Sequence, residues 1–269
     1  MFYEKLNNLE TLSASVGNRS DYVYGIGGNT SVKLNDRYMA IKASGLRIRQ
    51  VTKETGYVIV DFTRVREYYK NEKPTSYEEY ENYIHGCILG QGKESNLKPS
   101  IEVGFHSMLG RYVAHTHSAY SNLVCCTQEG CRITREILKY DYPWVWVPFR
   151  DPGFELSIEV AKQIKQFERE TGKKPTILML QNHGIVASGE DLEETIKLHE
   201  ELNEKLKNGL GLSGEYPKCG VVSPDEKNHI STSQFVKEFL LKNNIGLDII
   251  RCNNIHAEYI THLNSNCFL

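Results

Sequence analysis

"RYVAHTHSAYSN", Arg111 to Asn122, sets two histidines two residues apart in a run with β-branched and aromatic character. On a strand, side chains at i and i+2 share a face, about 7 Å apart at ~3.3 Å of rise per residue. His115 and His117 then point the same way, with Val113 on the same face, and two ring nitrogens can reach one cation. On a helix the pair would diverge by about 200°. Tyr112, Val113, Thr116 and Tyr120 favour the strand. The plainer account is one hydrogen-bonded core imidazole and one facing solvent.

Working outward, the spacing of Leu6, Leu9, Leu12 and Val16 predicts a helix over 4–16, and "YVYGIGGNTSVKL" (22–34) a glycine-dense turn entering a strand. Residues 37–46 and 56–62 read as strands. Residues 64–98, rich in Tyr, Glu, Asn and Lys, read as a polar helix and loop outside the core, which either shapes a pocket or a subunit contact or is a solvated face. "PSIEVGFHSML" (99–109) opens a helix near Ser100, with Ile101, Phe105, Met108 and Leu109 on one side. Further on, 143–149 is a strand, 156–170 an amphipathic helix, 176–189 a strand, a His-Gly turn and a second strand, and 191–206 a long helix. The tail holds one more helix ("SQFVKEFLLKN") and short strands. This mixture without strict βαβ alternation implies an α/β or α+β fold, divided into a main domain over 1–215 and a C-terminal appendage over 216–269 packed on it.

With 269 residues the chain can bury a substantial core, and a net charge of −2 gives no footprint for nucleic acid or an anionic membrane. The N-terminus carries charges where a signal peptide needs its apolar run, and no apolar stretch approaches the roughly 20 residues that span a bilayer. A cytoplasmic location is expected. Seven cysteines without a CxxC pair fit free thiols in a reducing compartment. Cys125 and Cys126, if on a strand, would point to opposite faces and not share an ion.

Two further positions extend the histidine pair. His183 ends an apolar strand, and Gly184 after it leaves room for another group to approach. Glu102 falls near the second position of its helix, where the plainer account is a first-turn carboxylate favouring the helix dipole. Three imidazoles and a carboxylate suit Zn²⁺ acting as a Lewis acid. His106, four residues after Glu102, competes as a ligand, but beside Phe105 and Met108 it reads as a packed residue. "GIGGN" (25–29) lacks the Lys-Ser/Thr of a Walker loop and leads into a strand, so neither nucleotide fingerprint applies. It remains a nest of backbone N–H groups with the Asn29 amide, to which "KASG" (42–45) and Ser100 add hydroxyls.

Taken in order, "GIGGNTSVKL", "IKASG", "PSIEVGFH", "HTH", "VPFRDPG" (147–153) and "NHGIVASG" resemble the class II aldolase/adducin family over residues 12–206. The subgroup they resemble most is the aldolase portion of rhamnulose-phosphate aldolase/dehydrogenase fusions, here without the dehydrogenase domain. The resemblance implies an αβα sandwich around a mostly antiparallel sheet, and a homotetramer with active sites at subunit interfaces. It implies Zn²⁺ on His115, His117 and His183, with Glu102 as fourth ligand and as acid/base once substrate displaces it. It implies Gly28, Asn29, Ser44, Gly45 and Ser100 around the phosphate of a ketose 1-phosphate, cleaved through a metal-stabilised enediolate to dihydroxyacetone phosphate and an aldehyde. Two departures stand out: Ile101 follows Ser100 where sugar-phosphate aldolases often have a second hydroxyl, and the tyrosine that a neighbouring subunit supplies in fuculose-type enzymes to protonate the leaving side has two candidates here, Tyr140 and Tyr142.

The sequence does not choose between Zn²⁺ and Mn²⁺, Fe²⁺ or Co²⁺, or between a sugar and a sugar phosphate. A 4-epimerase or dehydratase on the same scaffold, and a non-catalytic adducin-like interaction domain, are the competing functions. Intact ligands argue against the last, since a scaffold has no need of converging imidazoles. A redox role for Cys125 and Cys126 has nothing else behind it.

Overall fold

Eight strands form one sheet in the computed structural model, which describes residues 2–69, 77–139 and 141–216, together with 221–222, 230–231, 234, 238 and 241–244. They are β1 (Asn29–Lys33), β2 (Tyr38–Lys42), β3 (Tyr57–Asp61), β4 (Ile88–Gln91), β5 (Tyr112–Thr116), β6 (Trp144–Val147), β7 (Ile177–Leu180) and β8 (Gly184–Gly189). The order across the sheet is β4-β3-β2-β1-β5-β8-β7-β6. Every pairing is antiparallel except that of β6 with β7.

Helices cover both faces, giving the expected αβα sandwich. On one face lie α1 (Phe2–Gly17), α5 (Ala119–Cys125), α6 (Gly130–Leu138) and α8 (Leu192–Gly209). α1 is held by the predicted stripe: Leu6, Leu9, Leu12 and Val16 pack on Val32, Ala40 and Ala114. On the other face lie α2 (Phe62–Tyr68), α3 (Tyr77–His85), α4 (Val103–Met108) and α7 (Phe154–Thr171). Alternation along β5 decides which side chains meet which layer: Val113 faces Phe105 and Leu156, while Ala114 faces α1.

Caps explain several boundaries. Asp61 accepts from the Arg64 amide at the start of α2, and Asp191 from Glu194 at the start of α8. Ser118 does the same for Ser121, so the opening stretch turns from strand to helix there, and Tyr120 is a helical residue rather than a strand one. Cys125 and Cys126 therefore end α5 instead of alternating on a strand.

The described residues of the 64–98 segment are no excursion. Tyr69, Tyr80, Ile84 and Cys87 are buried against Met39, Val58 and Val60, the Tyr69 hydroxyl donates to that of Tyr80 at 2.7 Å, and β4 extends the sheet. Its polar composition hid an apolar face made largely of tyrosine, a side chain that packs through its ring and keeps a polar tip.

The chain divides into two units, Met1–Leu210 and Gly211–Leu269. In the second, Val221–Val222 and Ile230–Ser231 pair antiparallel. The helix expected over "SQFVKEFLLKN" falls mostly outside the described residues. No helix among the described residues is long and apolar enough to cross a membrane.

Candidate metal centre

Strand register brings the distant motifs to one end of the sheet. Asn29, the first residue of β1, is the cross-strand partner of His115 on β5. β5 pairs with β8 as far as Thr116 with Ile185, which sets the turn before β8, and with it His183, beside His117. At the end of β2, the Ser44 amide donates to the Lys98 carbonyl and the Ser100 amide to that of Lys42, so 42–45 and 98–100 lie side by side.

Those two hydrogen bonds also correct the expected helix. Residues 98–100 stay extended along the end of β2, α4 starts at Val103, and Glu102 takes the N-cap position without capping it through its side chain. The carboxylate instead points to the histidines. Glu102 Oε2 lies 3.3 Å from His115 Nε2, and Oε1 lies 3.2 Å from His183 Nε2.

The imidazoles converge on one another as well. His115 Nε2 is 3.0 Å from His117 Nε2 and 3.3 Å from His183 Nε2, and all three rings are buried. His115 Nδ1 donates to the Ile185 carbonyl at 2.9 Å, which leaves its Nε2 as a lone pair. Nitrogens and carboxylate oxygens so arranged repel unless something positive lies among them. A tetrahedral Zn²⁺ with bonds near 2.05 Å places its ligand atoms about 3.3 Å apart, the spacing found here. Glu102 Oε1, buried and accepting no hydrogen bond, is a further lone pair aimed into the cluster. The donor set fits one divalent cation. Among the described residues, His115, His117 and His183 are the group that could hold one.

Asn29 donates through Nδ2 to Glu102 Oε2 at 2.7 Å and to Ser100 Oγ at 2.9 Å, while its buried Oδ1 accepts nothing. Burial pushes the Glu102 carboxyl up, but the charge that the His115 and His183 rings carry when protonated, the Asn29 N–H and the Lys42 charge outweigh it and hold it below the usual carboxylate range. His106 is a packed residue, as expected: it stacks on Phe105 and hydrogen-bonds Ser31 Oγ at 2.7 Å. Burial and the nearby His115 and Lys33 keep it neutral.

Gly28 (φ +69°) is needed at its turn, where a Cβ would lie 2.7 Å from the His115 carbonyl oxygen. Gly45 (φ +79°) faces open space. Ser44 and Ser100 line a cavity of about 150 Å³ together with Lys98, His85, Tyr80 and Ile84. Sequence reasoning did not single out His85, because nothing local ties α3 to Ser100, or Lys98, a lysine in a polar stretch. It also passed over Lys42, although a lysine closing the apolar "YMAIK" is a visible signal. Its buried ammonium donates to the Ile26, Ala43 and Leu46 carbonyls, joining the two glycine turns. Within its own chain the Tyr142 hydroxyl donates to Glu201 on α8 at 3.0 Å; the acid was expected from a neighbouring subunit. Tyr140 lies outside the described residues.

The family model for the Class II Aldolase and Adducin N-terminal domain matches residues 11–208. The chain belongs to the class II aldolase/adducin family. It is 27% identical over 197 residues to an uncharacterized oxidoreductase of Bacillus subtilis (strain 168), YuxG, covering 68% of this chain and 27% of that protein. It is 33% identical over 127 residues to the 3-oxo-tetronate 4-phosphate decarboxylase of Escherichia coli (strain K12), covering 42% of this chain and 56% of that one. The chain thus matches about a quarter and about half of the lengths of these relatives. Its fold also matches the N-terminal class II aldolase domain of a conserved protein from Thermoplasma acidophilum, with a TM-score of 0.64 at 22% identity over 76% of this chain and 93% of that one. The class II aldolase family suggests lyase chemistry, and its members here include a decarboxylase by name.

Proposed function

We propose that this class II aldolase-family protein is a divalent-metal-dependent, zinc-type lyase that performs retro-aldol cleavage of a small sugar or ketose 1-phosphate. The observation that carries this is the convergence of three buried imidazoles, whose ligand nitrogens lie within 4.8 Å of one another, with a buried carboxylate 3.2–3.3 Å from two of them. When bound, the cation supplies Lewis-acid stabilisation of negative charge developing on the substrate's oxygens.

The chain's own residues do the rest. His115, His117 and His183 hold the cation. Glu102 completes the resting ligand set, and its carboxylate manages the proton once substrate takes its place. In cleavage the hydroxyl on the departing carbon gives up its proton and becomes the aldehyde carbonyl, the C–C electron pair stays on the carbon next to the ketone carbonyl, and that carbon takes a proton from Glu102, which is protonated in turn by the one released. Asn29 keeps the carboxylate turned to the reacting atoms. Gly28, Asn29, Ser44, Gly45 and Ser100 receive the end of the substrate away from the cation, and Lys98 on the same cavity wall adds positive charge for a phosphate. The relative named for a 4-phosphate substrate supports an anion at that end.

A homotetramer would bring the second acid to the site from a neighbouring copy. The four described cysteines are free thiols, which fits the cytoplasm. Decarboxylation uses the same stabilised carbanion, with carbon dioxide leaving in place of an aldehyde, and is the second reading because a relative carries that name.

The test is metal content with product analysis. About one divalent cation per chain, and release of dihydroxyacetone phosphate from one of a panel of ketose 1-phosphates, are expected. Loss of both activity and proton exchange in Glu102→Gln is expected with them. A metal-free parent after Zn²⁺ is supplied would overturn the lyase assignment and favour an interaction domain.

A further inference from the structure

His117 lies one residue beyond β5. The ladder to β1 ends at the Asn29–His115 pair and the ladder to β8 at Thr116–Ile185, so backbone pairing does not place His117 against His115. Side-chain ties do. The Asn122 amide donates to the His117 carbonyl at 3.1 Å from α5. The other tie starts from Thr116, between the two histidines. Alternation sends its side chain to the opposite face of the sheet, where its buried Oγ1 is 2.7 Å from His199 Nε2 on α8.

The tautomer of His199 follows from its other neighbour. Asn203 Nδ2 donates to the His199 carbonyl at 2.9 Å, which orients the amide, and stands 3.4 Å from His199 Nδ1. An amide nitrogen only donates, so Nδ1 accepts and Nε2–H donates to Thr116 Oγ1. Tyr22 meets the imidazole edge-on with ring centroids 5.1 Å apart, fixing its plane.

We propose that His199 is a positioning residue for the metal centre, fixing through Thr116 the spacing of His115 and His117 from the far side of the sheet. This role rests on the metal-holding reading of the site. Packing alone does not require the pair: replacing both partners of a buried hydrogen bond by apolar groups of similar shape is often close to neutral. A threonine and a histidine add direction, holding the strand end at one rotation. Partners of this kind behind metal ligands typically matter by about 10- to 100-fold in affinity.

The test compares Thr116→Val, His199→Phe, their double variant and Thr116→Ser with the parent. Zn²⁺ affinity is read by competition with a chromophoric chelator, Co²⁺ coordination by its visible bands, and stability by unfolding of the metal-free proteins. Both apolar variants should lose about 10- to 100-fold in Zn²⁺ affinity and shift the Co²⁺ bands. Thr116→Ser should stay within about twofold, and the double variant should fall to the level of the single ones and no further. Affinity and Co²⁺ spectra unchanged while metal-free stability falls would assign the pair a purely structural role and overturn the proposal. Restored affinity in the double variant would overturn it too. A parent that binds neither cation would sink the metal assignment itself, a different failure visible before any variant is made. Should Thr116→Val not fold, His199→Phe alone decides.

Discussion

Asn29 and Glu102 are joined by a 2.7 Å hydrogen bond from the amide Nδ2 to the carboxylate Oε2, at the end of the β1–β5 ladder that also makes Asn29 the partner of His115. One asparagine therefore aligns the carboxylate with the strand that carries His115.

Asn29→Leu should expose what that bond does. The donated hydrogen bond lowers the proton affinity of Glu102, so removing it raises the carboxyl's pKa. The acid limb of a pH–rate profile should then move to higher pH, with turnover falling about 10- to 100-fold, the worth of about 1–3 kcal/mol. Turnover that falls with the acid limb in place would show Asn29 acting on substrate alone.

Gly184 tests the backbone. A Cβ there would press into the Thr116 carbonyl oxygen and lie 2.9 Å from His117 Cδ2. Gly184→Ala should force β8 away from β5, costing about 1–3 kcal/mol in denaturant unfolding and most of the bound metal. Gly172→Ala, at the open end of α7 with φ +69°, should cost stability through its backbone conformation yet leave metal content at the parent value.

Much of this site was legible because its ligands sit in short motifs whose local structure is strong. His115 lies inside a β-branched run, and His183 adjoins a glycine that a close approach requires, since the Thr116 carbonyl occupies the space a Cβ would take. Periodicity found α1, α7 and α8 to within two or three residues. Pro-Ser reads as a helix start, which predicts a helical Glu102. The start moved to Val103 through hydrogen bonds to the end of β2, and such tertiary partners leave no local trace. α5 is hidden in the sequence because Ser118, its cap, reads as part of the histidine run. The tyrosines of 64–98 were counted as polar, although Tyr69 and Tyr80 bury their rings and satisfy their hydroxyls on each other.

Lys98 offers a test of what the cavity receives. Its ammonium is mostly exposed and loosely paired with Glu81 at 3.8 Å, so an incoming anion can draw it away at little cost. Lys98→Met should weaken a phosphorylated substrate about five- to tenfold through KM, with kcat held within about twofold. The unphosphorylated analogue should bind the parent and the variant alike. An equal loss for both would place Lys98 in the wall of the cavity and not in charge recognition.

His199 predicts an acid-linked loss of stability. Burial, with His115 and Arg19 nearby, pushes its pKa from 6.5 down to about 3, so the folded protein keeps it neutral. Between those values the unfolded chain binds a proton that the folded chain refuses, and stability must rise with pH across that window. At pH 5 the contribution is a loss of about 2 kcal/mol relative to pH 8. His199→Phe cannot gain that proton, so the metal-free variant should lose less stability on acidification than the metal-free parent, by about this amount. Urea unfolding at pH 8, 6.5 and 5 measures the difference. Parallel pH slopes would mean that the imidazole takes up its proton without unfolding, and that α8 yields around it while the sheet stays intact.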